Sequence, residues 1–147
     1  SALHALSGSV PPERIVAQFF KAVDMLRLAS LVLAGEISAR AGDPNAAVPP
    51  LLEAVAIQDG HWFTEPPPWY APVRHTLGAV LLQAGRAVEA EAVYRDDLQR
   101  NPDNGWSLFG LAQSLRAQGK VSDAAAAEER FRKAWARADV TLRASRF

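Results

Sequence analysis

Apolar side chains along this chain recur at intervals of three and four, the spacing of a helix face, and the alternating runs that mark strands are missing. From Glu13 to Ala41, a broad apolar side built from Ile15, Val16, Phe19, Phe20, Val23, Leu26, Leu31, Val32 and Leu33 predicts one long helix, or two breaking near Asp24. Gly42-Asp43-Pro44 follows as a stop, a capping carboxylate and a first-turn proline. The next helix is expected over Asn45–Asp59, with Pro49-Pro50 delaying or kinking its start. The run Glu65-Pro66-Pro67-Pro68 is excluded from a helix, because consecutive prolines remove donors and push each preceding residue out of the α region. Four more helices are then predicted: about Ala71–Ala84, Ala87–Arg100, Gly105 to Gly119, and one capped by Ser122 and reaching Arg137. The tail Asp139–Phe147 carries no periodicity and is expected to order only if Leu142 or Phe147 docks.

Composition narrows the class. With 147 residues, 49% of them hydrophobic, the chain is the size of one packed domain. Sixteen basic residues balance sixteen acidic ones, so no overall field recruits nucleic acid, and it is not an expected partner. Cysteine is absent, and with it thiol catalysis and thiolate metal sites. Arg27, Glu36 and Arg40 cut the apolar stretches short of a membrane span. The opening SALHALSGSVPPE has no basic residue ahead of its weakly apolar part and does not read as a signal peptide. A cytoplasmic, non-membrane protein is the expectation.

Sliding the chain against itself by 34 residues aligns Leu77 with Leu111, Leu81 with Leu115, Gly85 with Gly119, Arg86 with Lys120 and Ala90 with Ala124. Gly35, Gly42, Ala47 and Ala54 keep similar internal spacing in an earlier, weaker copy. Two helices joined at a glycine bury one face in each other, and the remaining apolar face needs a neighbouring copy to cover it. The unit resembles the tetratricopeptide repeat. The best copy shows Leu77-Gly78, Leu81, Ala90, Tyr94 and Pro102; the next keeps Leu108, Leu111-Ala112, Leu115, Gly119 and Ala124 but has Glu128 where the aromatic belongs. The degenerate first copy keeps Leu31, Gly35, Ala47 and Leu51.

The resemblance implies an all-α fold, a right-handed α-solenoid of about three antiparallel helix pairs. As a single domain it divides into an N-terminal helical segment (1–27), a degenerate repeat (28–61), a Pro/aromatic insertion (62–70), two repeats (71–104 and 105–138) and a tail (139–147). It also implies that the first helix of each pair lines a concave groove for a peptide or helix of a protein partner. Carried over, the groove residues are Val32, Glu36 and Arg40; His75, Ala79 and Gln83; and Trp106, Phe109, Gln113 and Arg116. The Lys and Asn carboxylate clamp of the family's chaperone-tail binders is absent from these positions. Trp106 and Phe109 suggest an aromatic-accepting groove, or rings covered by the N-terminal stretch.

Chemistry-bearing clusters are not evident. His4, His61 and His75 are not spaced as metal ligands, and no glycine-rich phosphate cradle occurs. Neither a cofactor nor an enzymatic activity is expected. Trp62, Phe63, Trp69 and Tyr70 flank the proline run and either pin it to neighbouring helices or form an accessory docking surface. The basic end, Arg130, Arg132, Lys133, Arg137, Arg143 and Arg146, fits a solvated helix end. The apolar Glu13–Leu33 stretch needs covering, by a second copy in a homodimer or by the rest of the chain. The competing function is structural: the end of a longer repeat array, or a self-association domain.

Overall fold

A computed structural model describes residues 2, 5, 8–17, 20–61, 67 and 69–146. Its elements are β1 (Ile15–Ala17), β2 (Phe20–Lys21), α1 (Ala22–Arg40), α2 (Pro44–Asp59), α3 (Val73–Gln83), α4 (Ala87–Arg100), α5 (Gly105–Ala117) and α6 (Val121–Ala134). All but the short hairpin are helices, consecutive in sequence and packed as a solenoid packs them, with α1 on α2, α4 on α5 and α5 on α6. The chain divides into two compact units, residues 1–73 and 74–147.

Three corners are built alike, and they carry the repeat. Gly42, Gly85 and Gly119 all take positive φ, at 92°, 75° and 73°. Past each glycine one backbone N–H reaches six-to-one across the helix end: Asp43 to the Ser38 carbonyl, Arg86 to Leu81 and Lys120 to Leu115, at 3.0, 2.8 and 3.0 Å. This is the Schellman closure of a helix C-terminus, and it requires a left-handed residue that glycine adopts without strain. No atom lies within 4 Å of a Cβ built on any of the three, so their glycines serve conformation and not close packing.

In the first unit, α1 and α2 pack face to face through Leu28, Gly35 and Ala39 against Ala47, Leu51 and Ala54. A Cβ on Gly35 would fall 2.6 Å from Leu51 Cγ, so the glycine is what lets the two helices approach. Asp43 caps α2 by accepting from Ala46 N–H at 3.0 Å. The helix holds Pro49 and Pro50 inside its span and starts at Pro44, before the pair rather than after it. Beyond α2, the Gln58 amide splints the returning chain. It donates to the carbonyls of Trp69 and Ala71 and accepts from Val73 N–H, at 3.4, 3.2 and 2.8 Å.

Three boundaries differ from expectation. The helix predicted from Glu13 begins at Ala22; Ile15–Ala17 and Phe20–Lys21 pair as an antiparallel hairpin instead. A short run rich in β-branched and aromatic residues satisfies a strand as readily as a helix, and here tertiary contact decides. Phe20 is buried, its ring 4.1 Å from that of His61 at the far end of α2. Ser122 lies within α6, whose N-cap is Lys120. The tail is ordered through residue 146, anchored through Ser145 rather than Leu142; Phe147 lies outside the described residues.

Candidate functional site

The second unit centres on Tyr94 of α4, whose ring is fully buried. A Cβ on Gly78 of α3 or on Gly110 of α5 would run into that ring, so two glycines form the slot it occupies. Burial pushes the phenol above the ordinary tyrosine value, opposed by its hydrogen bond with Ser145 and the charge of Arg146.

One turn along α4, Asp97 is also buried, at 2% exposure. It gathers three donors: His75 Nε2 from α3 at 3.3 Å, Ser107 Oγ from α5 at 2.5 Å and Asn101 Nδ2 at 3.2 Å. Burial alone would raise its pKa, yet the bonds from His75 and Ser107, the His75 charge and the Asn101 bond outweigh that and hold it low. His75 therefore turns its ring into the helix stack and not outward. Beside it, the Arg74 guanidinium bonds Asp96 at 2.6 and 2.5 Å.

Glu91 ties α4 to the α5–α6 corner, accepting from Lys120 Nζ at 2.7 Å, Gln118 Nε2 at 2.8 Å and Arg95 Nε at 2.9 Å. The Lys120 bond leads in holding its pKa at about 2, against the cost of desolvation.

Across this unit lies the chain's own tail. Trp135 Nε1 donates to the Val140 carbonyl at 2.7 Å. Ser145, 1% exposed, sits on Tyr94, the two hydroxyl oxygens 2.5 Å apart, and donates to the His75 carbonyl at 2.9 Å. Arg146 donates to Gln83 Oε1 at 3.1 Å. Of the residues expected to line the groove from α3, Gln83 is exposed and meets the tail, His75 offers its carbonyl, and Ala79 is half-buried.

The α5 candidates face α6. Trp106 meets Trp135 edge-on, with ring centroids 5.7 Å apart. Phe109 meets Phe131 at 5.4 Å, and Phe131 stacks on Trp135 at 5.7 Å. Phe109, Ala112, Gln113 and Arg116 of α5 and Glu128, Phe131 and Arg132 of α6 enclose a cleft of about 340 Å³. Its apolar floor is bounded by the ion pair of Arg116 with Glu128.

In the first unit, Val32 and Glu36 are half-buried on α1, and the exposed Arg40 pairs with Glu36 at 3.4 Å. Trp69 is half-buried with its carbonyl tied to Gln58, while Tyr70 is 84% exposed. Trp62 lies outside the described residues.

Residues 81–127, from the end of α3 well into α6, match the family model of the tetratricopeptide repeat. That stretch is similar to a tetratricopeptide repeat. Neither a curated protein nor a solved structure matches the chain. The tetratricopeptide repeat is in general a non-catalytic protein-interaction unit, and the matched span holds Tyr94 and Asp97 themselves, with Gly110 and Ser107 against them, while Gly78 and His75 lie just ahead of it. Among the described residues no helix is long and apolar enough to cross a membrane, and no three His, Asp or Glu side chains are placed to hold a metal.

Of the residues that carry the polar contacts of this unit, His75 and Gln83 were among the sequence candidates, while Glu91, Asp97 and Ser145 were not. Asp97 had a signal: it stands at i+7 from Ala90 and i+3 from Tyr94, a carboxylate on an otherwise apolar stripe, which only a buried network tolerates. Ser145 had none, since nothing local distinguishes a serine in an aperiodic tail.

Proposed function

We propose that the protein is a non-catalytic interaction module that seats a helix of a partner protein in the α5–α6 cleft, against Phe109, Gln113, Arg116 and Phe131. The supporting observation is the repeat register. Shifted back by one repeat, the cleft positions Phe109, Ala112, Glu128 and Phe131 become His75, Gly78, Tyr94 and Asp97. That earlier surface is covered by a helix: α5 lays Gly110 on the Tyr94 ring and Ser107 on Asp97. A surface of the same construction one repeat further on suits a helix too. Glu128 stands where Tyr94 stands and is drawn to Arg116, so no ring fills the notch, and a large apolar side chain of the partner has room there.

The test is a display library of helical peptides selected against this 147-residue chain. Selected binders are expected to lose about tenfold or more in affinity on Phe109→Ala and on the solvent-side Arg132→Glu, the usual effect of removing one anchor. Binders indifferent to both substitutions, with circular dichroism unchanged, overturn the assignment. A second reading, self-association, is favoured by Leu33 and Ile37, one turn apart on α1 and 46% and 59% exposed. Sedimentation of the same protein separates the two, because a dimer formed through α1 is concentration-dependent and unaffected by Arg132→Glu.

A further inference from the structure

The tail makes the kind of contacts a bound ligand makes, and their chemistry is selective. Ser145 Oγ–H is directed at the His75 carbonyl, so the proton between the two hydroxyls is supplied by Tyr94. Ser145 thus accepts from a phenol and donates to a carbonyl through one atom. An alanine does neither, a carboxylate or phosphate accepts but cannot donate, and an ammonium donates but cannot accept. Only a hydroxyl satisfies both partners, which lie at a site with almost no access to water. The next residue, Arg146, reaches the exposed Gln83 carbonyl oxygen, where a basic side chain of similar reach fits.

We propose that this face of α3 and α4 is a second binding site, distinct from the α5–α6 cleft, for an extended segment carrying Ser or Thr followed by Arg or Lys, and that residues 139–146 are its resident occupant. A partner segment of that composition competes with the tail for the Tyr94 hydroxyl and the His75 carbonyl. The tail acts as a removable stopper, and its anchors include the Ser145 pair, the Arg146 contact with Gln83 and the bond from Trp135 to the Val140 carbonyl. Phosphorylation of the hydroxyl, on the tail or on the partner, excludes that segment, since a phosphate placed against the His75 carbonyl repels it.

The experiment uses the full chain and a fluorescent peptide copying residues 139–146. Ser145→Asp in the protein is expected to free the site and raise peptide affinity about tenfold or more over the wild type, the scale of removing an internal competitor. The same peptide with alanine or phosphoserine at the serine position is expected to bind that variant about tenfold more weakly. Trp135 gives an independent readout: its indole N–H resonance shifts when the tail leaves, in the Ser145→Asp protein and, on adding excess peptide, in the wild type. Ser145→Ala, which inserts no charge, is the second variant should Ser145→Asp perturb the fold. Equal binding of the serine and alanine peptides, or a wild type that binds as well as both variants with no change at Trp135, overturns the proposal. Because the α5–α6 cleft shares none of these groups, Phe109→Ala leaves this peptide's affinity unchanged.

Discussion

Tyr94→Ala is expected to lower the stability of the unit formed by α3–α6 by about 3–5 kcal/mol, as for other buried aromatic truncations, a drop in Tm of about 12 °C or more for a unit of this size. The ring fills a place where three helices meet: it starts on α4 and lies against Gly78 of α3 and Gly110 of α5. Truncation leaves a cavity between two positions that have no side chains with which to collapse, so relaxation recovers little. Tyr94→Phe keeps the ring and removes only the hydroxyl, stranding Ser145 without its donor; the expected cost is about 1 kcal/mol. Thermal melts followed by circular dichroism check both. Similar losses for the two variants contradict the packing argument, because then the hydroxyl and not the ring volume dominates.

The same slot shows what was legible beforehand. Gly85 and Gly119, each at the end of an apolar stretch and each followed by a basic residue and a new helix, mark turns by chemistry that is entirely local, and they sit in the structure as equivalent corners. The offset of 34 residues followed from them, and so did the helix pairs. The earlier corner at Gly42 precedes Gly85 by 43 residues, and that wider interval is what weakened the first copy. The Pro-rich stretch before Tyr70 lengthens the chain there without altering the corner.

Features that depend on distant contacts were not legible. The residues from Ile15 to Lys21 fit either helix or strand until Phe20 is seen against His61. Trp106 and Phe109 were placed on the correct helix, but their neighbours Phe131 and Trp135 occupy an aromatic stripe at i and i+4 on α6 that reads equally well as a solvent-facing or a helix-facing edge. The docking of the tail depends on a serine meeting a tyrosine 51 residues away, a pairing that no periodicity encodes.

Asp97 provides the second large effect. Asp97→Ala is expected to cost about 3–5 kcal/mol, the range for breaking a buried charged pair by deleting one partner. The carboxylate joins three helices at one atom cluster: without it, the buried Ser107 hydroxyl and His75 ring lose their acceptor away from water, and the Asn101 amide at the exposed edge loses its bond. Asp97→Asn keeps the size and two lone pairs but is expected to cost about 1–3 kcal/mol, because the amide donates where His75 and Ser107 also donate. The pH response separates charge from shape. The folded state holds this carboxyl below its ordinary value, so the unfolded chain takes up the proton first as pH falls. The stabilisation is complete above about pH 4, the ordinary range of the group, and is lost as pH drops through the lower folded value. Denaturant titrations of the wild type should therefore show stability falling more steeply below about pH 4 than those of Asp97→Asn, after allowing for Glu91, whose folded pKa of about 2 contributes to both proteins alike. Parallel curves for the two proteins would mean that Asp97 is protonated in the folded state, and the network would then be a set of neutral hydrogen bonds instead of a buried charge held by its donors.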